Sequence, residues 1–146
     1  MATWLMSANE SVFNHALAFK EKGEIDWKQN RHYCVGDTGF IYCTKPSSQI
    51  RYMTKVIAIN QTLDDIDNDL RFWKKPELRT YSAKNKFFRI QMITASEDDG
   101  LIFAEIKDKK LLLYLPQSPQ KLNDDLINYL MKFFKIGDER DDKETD

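Results

Sequence analysis

The chain has 146 residues, a formal net charge of -1, 42% hydrophobic and 12% aromatic content, which is the make-up of one globular domain long enough to bury a core. No apolar run reaches the length of a membrane span, and the N-terminus lacks a basic-then-apolar signal. The last ten residues carry six acids against two bases, so residues 1–136 hold 20 bases against 17 acids. That mildly basic body is compatible with a polyanion partner without demanding one, and residues 137–146 read as an acidic, disordered tail.

The predicted elements begin with "TWLMS" (Thr3–Ser7), which alternates as a short strand. A helix follows in "ANESVFNHALAFKEKG", with Asn9 or Ser11 as its cap, Val12, Phe13, Ala16, Leu17 and Phe19 as its apolar positions and Gly23 as its stop. Trp27 falls in a polar stretch, "DWKQNRHYCVGD", read as a loop that ends in a Val-Gly-Asp turn. "GFIYCT" (Gly39–Thr44), the turn "KPSS" and the β-branched "QIRYMTKVIAI" (Gln49–Ile59) make a hairpin.

Residues 61–86 are polar and aperiodic, a long loop with one helical turn around "LRFWKKPEL". "FFRIQMIT" (Phe87–Thr94) returns to strand. "LIFAEIKDKKLLLYLP" (Leu101–Pro116) fits a hairpin slightly better than a helix. Ser118 or Asn123 caps a final amphipathic helix that carries Leu122, Leu126, Leu130 and Phe134, with Gly137 closing it. Too few helices alternate with the strands for a doubly wound sheet, so the expected fold is α+β, a small curved or barrel-like mixed sheet with flanking helices.

Catalytic signatures are weak. Asp99, Glu105 and Lys107 hold the letters of a Mg²⁺-dependent nuclease. Asp99 and Glu105, however, would share one strand, whereas such sites draw their carboxylates from two. His15 and His32 lack ligand-spaced partners and read as surface or capping residues. The five glycines form no phosphate loop. Cys34 and Cys43 lack metal spacing and read as small apolar thiols of a reduced, cytoplasmic protein. The expectation is a non-catalytic protein with no cofactor and no metal.

Aromatic residues bordered by cations and amides are the stronger signal. Trp27 is followed by Lys28, Gln29, Asn30 and Arg31, and Trp73 lies between Arg71 and Lys74-Lys75. An unstacked nucleobase needs such a set: an indole to stack on its face, amides to read its edge and cations for the flanking phosphates. For Trp4 and Trp73 taken singly, a place on the hydrophobic core explains the residue as well.

Four motifs in order, "WLMSAN", "IDWKQ", "VGDTGFIYCTKP" and "IRYMTKVIAIN", and more loosely "LPQSPQKLNDDLINYL", resemble the EVE-like branch of the PUA-like superfamily, related to YTH and ASCH domains. The family's glycine beside the proline of the closing loop is replaced here by Gln117-Ser118-Pro119-Gln120. The resemblance implies a PUA-like domain over residues 1–136 and favours a helix over residues 101–109. It also implies a reader of a flipped, modified DNA base, possible in RNA as the alternative, acting beside a nuclease or motor protein in a restriction system. Carried over by motif, Trp4, Ser7, Trp27 and Tyr42 would form the base pocket. Asn9, Gln29 and Trp73 join them on composition, and Lys28, Arg31 and Arg51 would contact phosphate.

Overall fold

The computed structural model describes residues 1–44, 48–66, 69–96, 101–102 and 119–134. The tail 137–146, Gly137, the Asp99, Glu105 and Lys107 set, and most of the segment read as hairpin or helix lie outside the described residues.

The fold is α+β, as the pattern predicts. Strands β1 (Thr3–Ala8), β2 (Glu24–Lys28), β3 (Thr38–Cys43), β4 (Gln49–Gln61), β5 (Phe87–Ala95), β6 (Leu101–Ile102) and β7 (Gln120–Lys121) form one mixed sheet. Its order is β2-β5-β4-β3-β1-β7, with β6 paired to β4. Strands β1 and β3 run parallel, and the other pairs run antiparallel. The β3–β4 hairpin stands where the sequence places it. Strand β4 slips register once against β3 and three times against β5, and such bulges bend a strand and tighten its twist. That curl lets a small sheet wrap its own side chains.

Side-chain alternation along the strands supplies two cores. Trp4, Met6 and Ala8 of β1 join Ile41 and Cys43 of β3 on one face, while Leu5, Phe40 and Tyr42 point to the other. Helix α1 (His15–Lys22) covers the first face with Ala18 and Phe19. Helix α2 (Asp124–Met131) covers the second with Leu126 and Leu130, and Phe134 beyond its end packs on Phe40 at 5.2 Å between ring centres. Asn123 caps α2 through its side chain, which accepts from Leu126 N at 2.9 Å. Among the described residues no helix is long and apolar enough to cross a membrane.

Two expectations need correction. The first helix starts later than Asn9 or Ser11: Asn14 is the cap, accepting from Leu17 N at 3.1 Å. The Asn9 side chain instead closes a turn with Ser11. Phe13 meanwhile bridges to Trp73, and Asn14 N donates to Phe72 O at 2.7 Å. Residues 12–14 are thus tied to a distant segment before the helix can begin. Its stop is as predicted, with Gly23 at φ 74.

Trp27 is not in a loop. It lies on β2, opposite Phe88 of β5. What makes this polar stretch a strand is a cross-strand set: Asp26 accepts from Arg89 Nε at 2.9 Å and NH2 at 3.2 Å, and from Gln61 at 2.9 Å. The connection from β4 to β5 also holds more than one helical turn. It carries three 3-10 turns, Leu63–Asp65, Leu70–Phe72 and Pro76–Leu78.

Candidate nucleic-acid site

A cavity of about 340 Å³ opens between β1, β2, the start of α1 and the β4–β5 connection, within the size range of small-molecule sites. Buried Phe13, His15, Tyr33 and Phe88 form its inner wall. Half-buried Trp27, Trp73 and Tyr81 line its sides, and exposed Ser7, Asn9, Lys28 and Asn30 stand at its mouth. Among the described residues no carboxylate lines it.

The indoles are held by their neighbours in near-perpendicular contacts. Trp27 meets His15 at 5.8 Å and 82°, and Phe88 at 6.2 Å and 73°. Trp73 meets Phe13 at 5.4 Å and 84°, and Tyr81 at 5.8 Å and 82°. Among the described residues no ring lies parallel on either indole, so stacking is left to a guest. Aromatic rings favour such offset-stacked contacts when a flat partner is present.

The electrostatics are those of a neutral chamber with a cationic edge. Burial depresses the His15 pKa to about 4; the Phe13 main chain partly offsets this, and the Lys74 charge adds to it. The ring is therefore uncharged near neutral pH, and the reading of His15 as a surface or capping residue is corrected, since it is 4% exposed. Burial likewise pushes the Tyr33 and Tyr81 phenols well above their ordinary range. His15 Nδ1 and Trp73 Nε1 are buried without a hydrogen-bond partner.

Ser7, Asn9, Trp27, Trp73 and Lys28, of the residues singled out by sequence, meet at this cavity. The others do not. Trp4 is 4% exposed and sits behind the wall, its ring centre 4.9 Å from that of Tyr33 and its Nε1 donating to Asp37 Oδ2 at 3.0 Å. Asp37 also accepts from Ala2 N at 3.0 Å and Cys34 N at 2.9 Å. Burial raises the Asp37 pKa, but these hydrogen bonds outweigh it and hold the carboxyl below its ordinary range. The Val-Gly-Asp turn thus anchors the first strand, with Gly36 at φ 100, a backbone conformation suited to glycine.

Tyr42 points to the opposite face of the sheet, in the core beneath α2. Gln29 grips Asn60 with both ends of its amide, accepting from the main-chain N at 2.8 Å and donating to the side chain at 2.9 Å. That clasp holds Asn60 at φ 55. Arg31 donates to Pro119 O at 3.2 Å, fastening a residue that itself lines the cavity. Arg51 pairs with Glu10 at 3.5 Å. Of the two thiols, Cys43 is buried, which pushes its pKa to about 12, but Cys34 is exposed.

Sequence reading missed Tyr81, Tyr33, His15 and the apolar wall. Phe13 and Phe88 carry the pattern of core residues, and Tyr81 lies in an aperiodic segment, so no local signal marks them. Among the described residues no group of three or more His, Cys, Asp or Glu side chains is placed to hold a metal ion.

No family model matches the chain, and no curated protein matches it. Its fold is shared with solved structures. The NMR structure of Rpa0253 from Rhodopseudomonas palustris is 17% identical over 91% of this chain and 92% of that one, with a TM-score of 0.63. A hypothetical protein from Leishmania major is 16% identical over 90% of this chain and 93% of that one, with a TM-score of 0.63. ASCH from Zymomonas mobilis is 13% identical over 92% and 96%, with a TM-score of 0.61. At such identities the likeness is one of fold: the chain shares the fold of the ASCH structure.

Proposed function

We propose that this protein is a non-catalytic, EVE-like nucleic-acid-binding module that accepts a single extruded, modified DNA base in the cavity walled by Trp27 and Trp73. The observation that carries the reading is the cavity itself: about 340 Å³, aromatic on several sides, bordered by Lys28 and with no carboxylate among its described lining residues. An extruded base costs a few kcal/mol in lost stacking and pairing, and stacking on an indole returns about 1–3 kcal/mol per base. Ser7, Asn9 and Asn30 at the mouth supply polar groups for the base edge. The aromatic set alone also suits a methylated ammonium ion, but the Lys28 ammonium at its rim, with no carboxylate among the described lining residues, disfavours a cation. In the cell such a module acts as the reader of a modification-dependent restriction system, beside a separate nuclease or motor protein.

The test is a competition at one fixed salt concentration among short duplexes carrying 5-methylcytosine, 5-hydroxymethylcytosine or N6-methyladenine at one central position, the unmodified duplex and matching single-stranded RNA. One modified duplex should bind at least tenfold tighter than the unmodified one, since each 1.4 kcal/mol is a factor of about ten. Trp27→Ala should weaken that binding by roughly 10- to 100-fold. It should also lower stability by about 1–2 kcal/mol, because Trp27 packs partly against the core. Tighter binding of the RNA would replace DNA with RNA as the ligand. Trp27→Ala that loses stability but no affinity would remove the base pocket.

A further inference from the structure

We infer that the lining of this cavity offers a guest hydrogen-bond donors rather than acceptors, so that the base it prefers is an oxo-pyrimidine, with carbonyls at C2 and C4, over an amino-bearing cytosine or adenine. This inference rests on the base-pocket reading above and gives that pocket its class of base.

The acceptors of the polar lining residues are already in use. Asn9 Oδ1 accepts from Ser11 N at 3.0 Å and Ser11 Oγ at 2.6 Å, and Asn30 Oδ1 accepts from the Tyr33 hydroxyl at 3.2 Å. Main-chain oxygens of the lining loops are engaged as well. Asn9 O accepts from Val12 N and Phe13 N, and Val12 O accepts from Lys74 N and Lys75 N. Asn30 O and Pro119 O both accept from Arg31. Arg31, expected from the sequence at a phosphate, thus occupies the carbonyls of two lining residues instead.

Donors are what remain. With its oxygen held, each of Asn9 and Asn30 keeps an Nδ2 amide group that no hydrogen bond takes among the described residues. Trp73 Nε1 carries a hydrogen that can only be donated, and it is buried without a partner. Such an orphan is costly until something accepts from it. The Lys28 ammonium likewise can only donate. Two lining groups adapt to the guest: the Tyr81 hydroxyl, and the unpartnered His15 Nδ1, which accepts when the ring proton is on Nε2.

These polarities favour one edge chemistry. An oxo-pyrimidine presents O2 and O4 to donors and has a single N3–H, which an adaptable group can take. A cytosine also offers two acceptors, O2 and N3, but its 4-amino group brings two N–H donors to a lining made of donors. Adenine does the same with its 6-amino group. Polar groups left unpaired on both sides are what lets a hydrogen-bonding site reject a near-isostere. The cavity can therefore hold a cytosine and still prefer its 4-oxo counterpart.

The experiment is a fluorescence-polarisation titration, at one fixed salt concentration, of two short duplexes. One carries 5-hydroxymethyluracil and the other 5-hydroxymethylcytosine, each opposite an abasic site so that pairing strength does not enter. The bases differ only in the oxo or amino group at C4 and the N3 proton that goes with it. The oxo base should bind roughly tenfold tighter. Asn9→Asp and Asn30→Asp keep the accepting oxygen and put a second oxygen where the amide nitrogen stands, so each should cut that preference to within about threefold. Asn85→Asp, the same change in a turn that holds Ser82 outside the cavity, should leave it unchanged. Circular dichroism melting shows that the variants are folded. An equal or tighter hold on the amino base overturns the donor lining and, if Trp27→Ala weakens both duplexes, leaves the base pocket standing. A preference that survives in both lining variants, or falls equally in Asn85→Asp, overturns the part given to Asn9 and Asn30. Binding indifferent to Trp27→Ala, or no binding of either duplex, removes the base pocket and the inference with it.

Discussion

Acidification from pH 7 to pH 4 should expose the cost of burying His15. The ring is 4% exposed, its Nδ1 has no hydrogen-bond partner, and burial depresses its pKa from 6.5 to about 4. In the unfolded chain the same ring takes its proton near pH 6.5. Between those values the unfolded state binds a proton that the folded state refuses, so stability is full above about pH 6.5 and falls as the pH drops towards 4. At 1.36 kcal/mol per pKa unit the loss is about 2 kcal/mol at pH 5 and about 3 kcal/mol at pH 4. That is a large share of the ~5–15 kcal/mol that holds a domain of this size together. The assay is chemical denaturation followed by tryptophan fluorescence at pH 7, 6, 5 and 4, for the wild type and His15→Leu. All other titratable groups are common to both proteins, so the difference between them isolates His15. The wild type should lose stability relative to His15→Leu across this range. A constant difference from pH 7 to pH 4 would refute a buried neutral imidazole.

Asp37→Ala should cost about 3 kcal/mol or more, a melting-temperature drop of roughly 10 °C, because it strips a partner from Trp4 Nε1 and from two main-chain N–H groups. The depressed pKa of Asp37 means its stabilising effect is present above the ordinary carboxylate range and is lost as pH falls through the lower folded value. The acid limb of the wild-type melting curve should therefore flatten in Asp37→Ala. Gln29→Ala should lower stability by about 1–2 kcal/mol through loss of the Asn60 clasp and change nucleic-acid affinity by less than about twofold, within about 0.4 kcal/mol. A tenfold loss of affinity with unchanged melting would return Gln29 to the role of base reader.

Local rules made much of this fold legible in advance. The alternation in β1, the strands β3 and β5, the hairpin, the glycine that ends α1 and the asparagine that caps α2 depend on neighbours within a few residues, and each stands where the pattern puts it. Asn9 and Asn14 both offer a capping side chain, and no local feature ranks them. The Phe13–Trp73 bridge does, from 60 residues away. Trp27 has a polar neighbourhood in sequence and an aromatic one in space, because β2 borrows its partners from β5.

The candidate site divides along the same line. That Trp27, Trp73, Ser7, Asn9 and Lys28 belong together follows from composition and resemblance, and they do converge. That Tyr42 does not join them was invisible, since a residue's side of the sheet depends on register and on which helix covers that side; for Trp4 the sequence left a core place open, and its packing on Tyr33 and Asp37 decides for it. The sequence by itself determined which side chains could stack on a ring or meet an anion. Only the tertiary structure decided which of them border an empty volume, because a cavity is what packing leaves unfilled, and packing sums contacts between segments far apart in the chain.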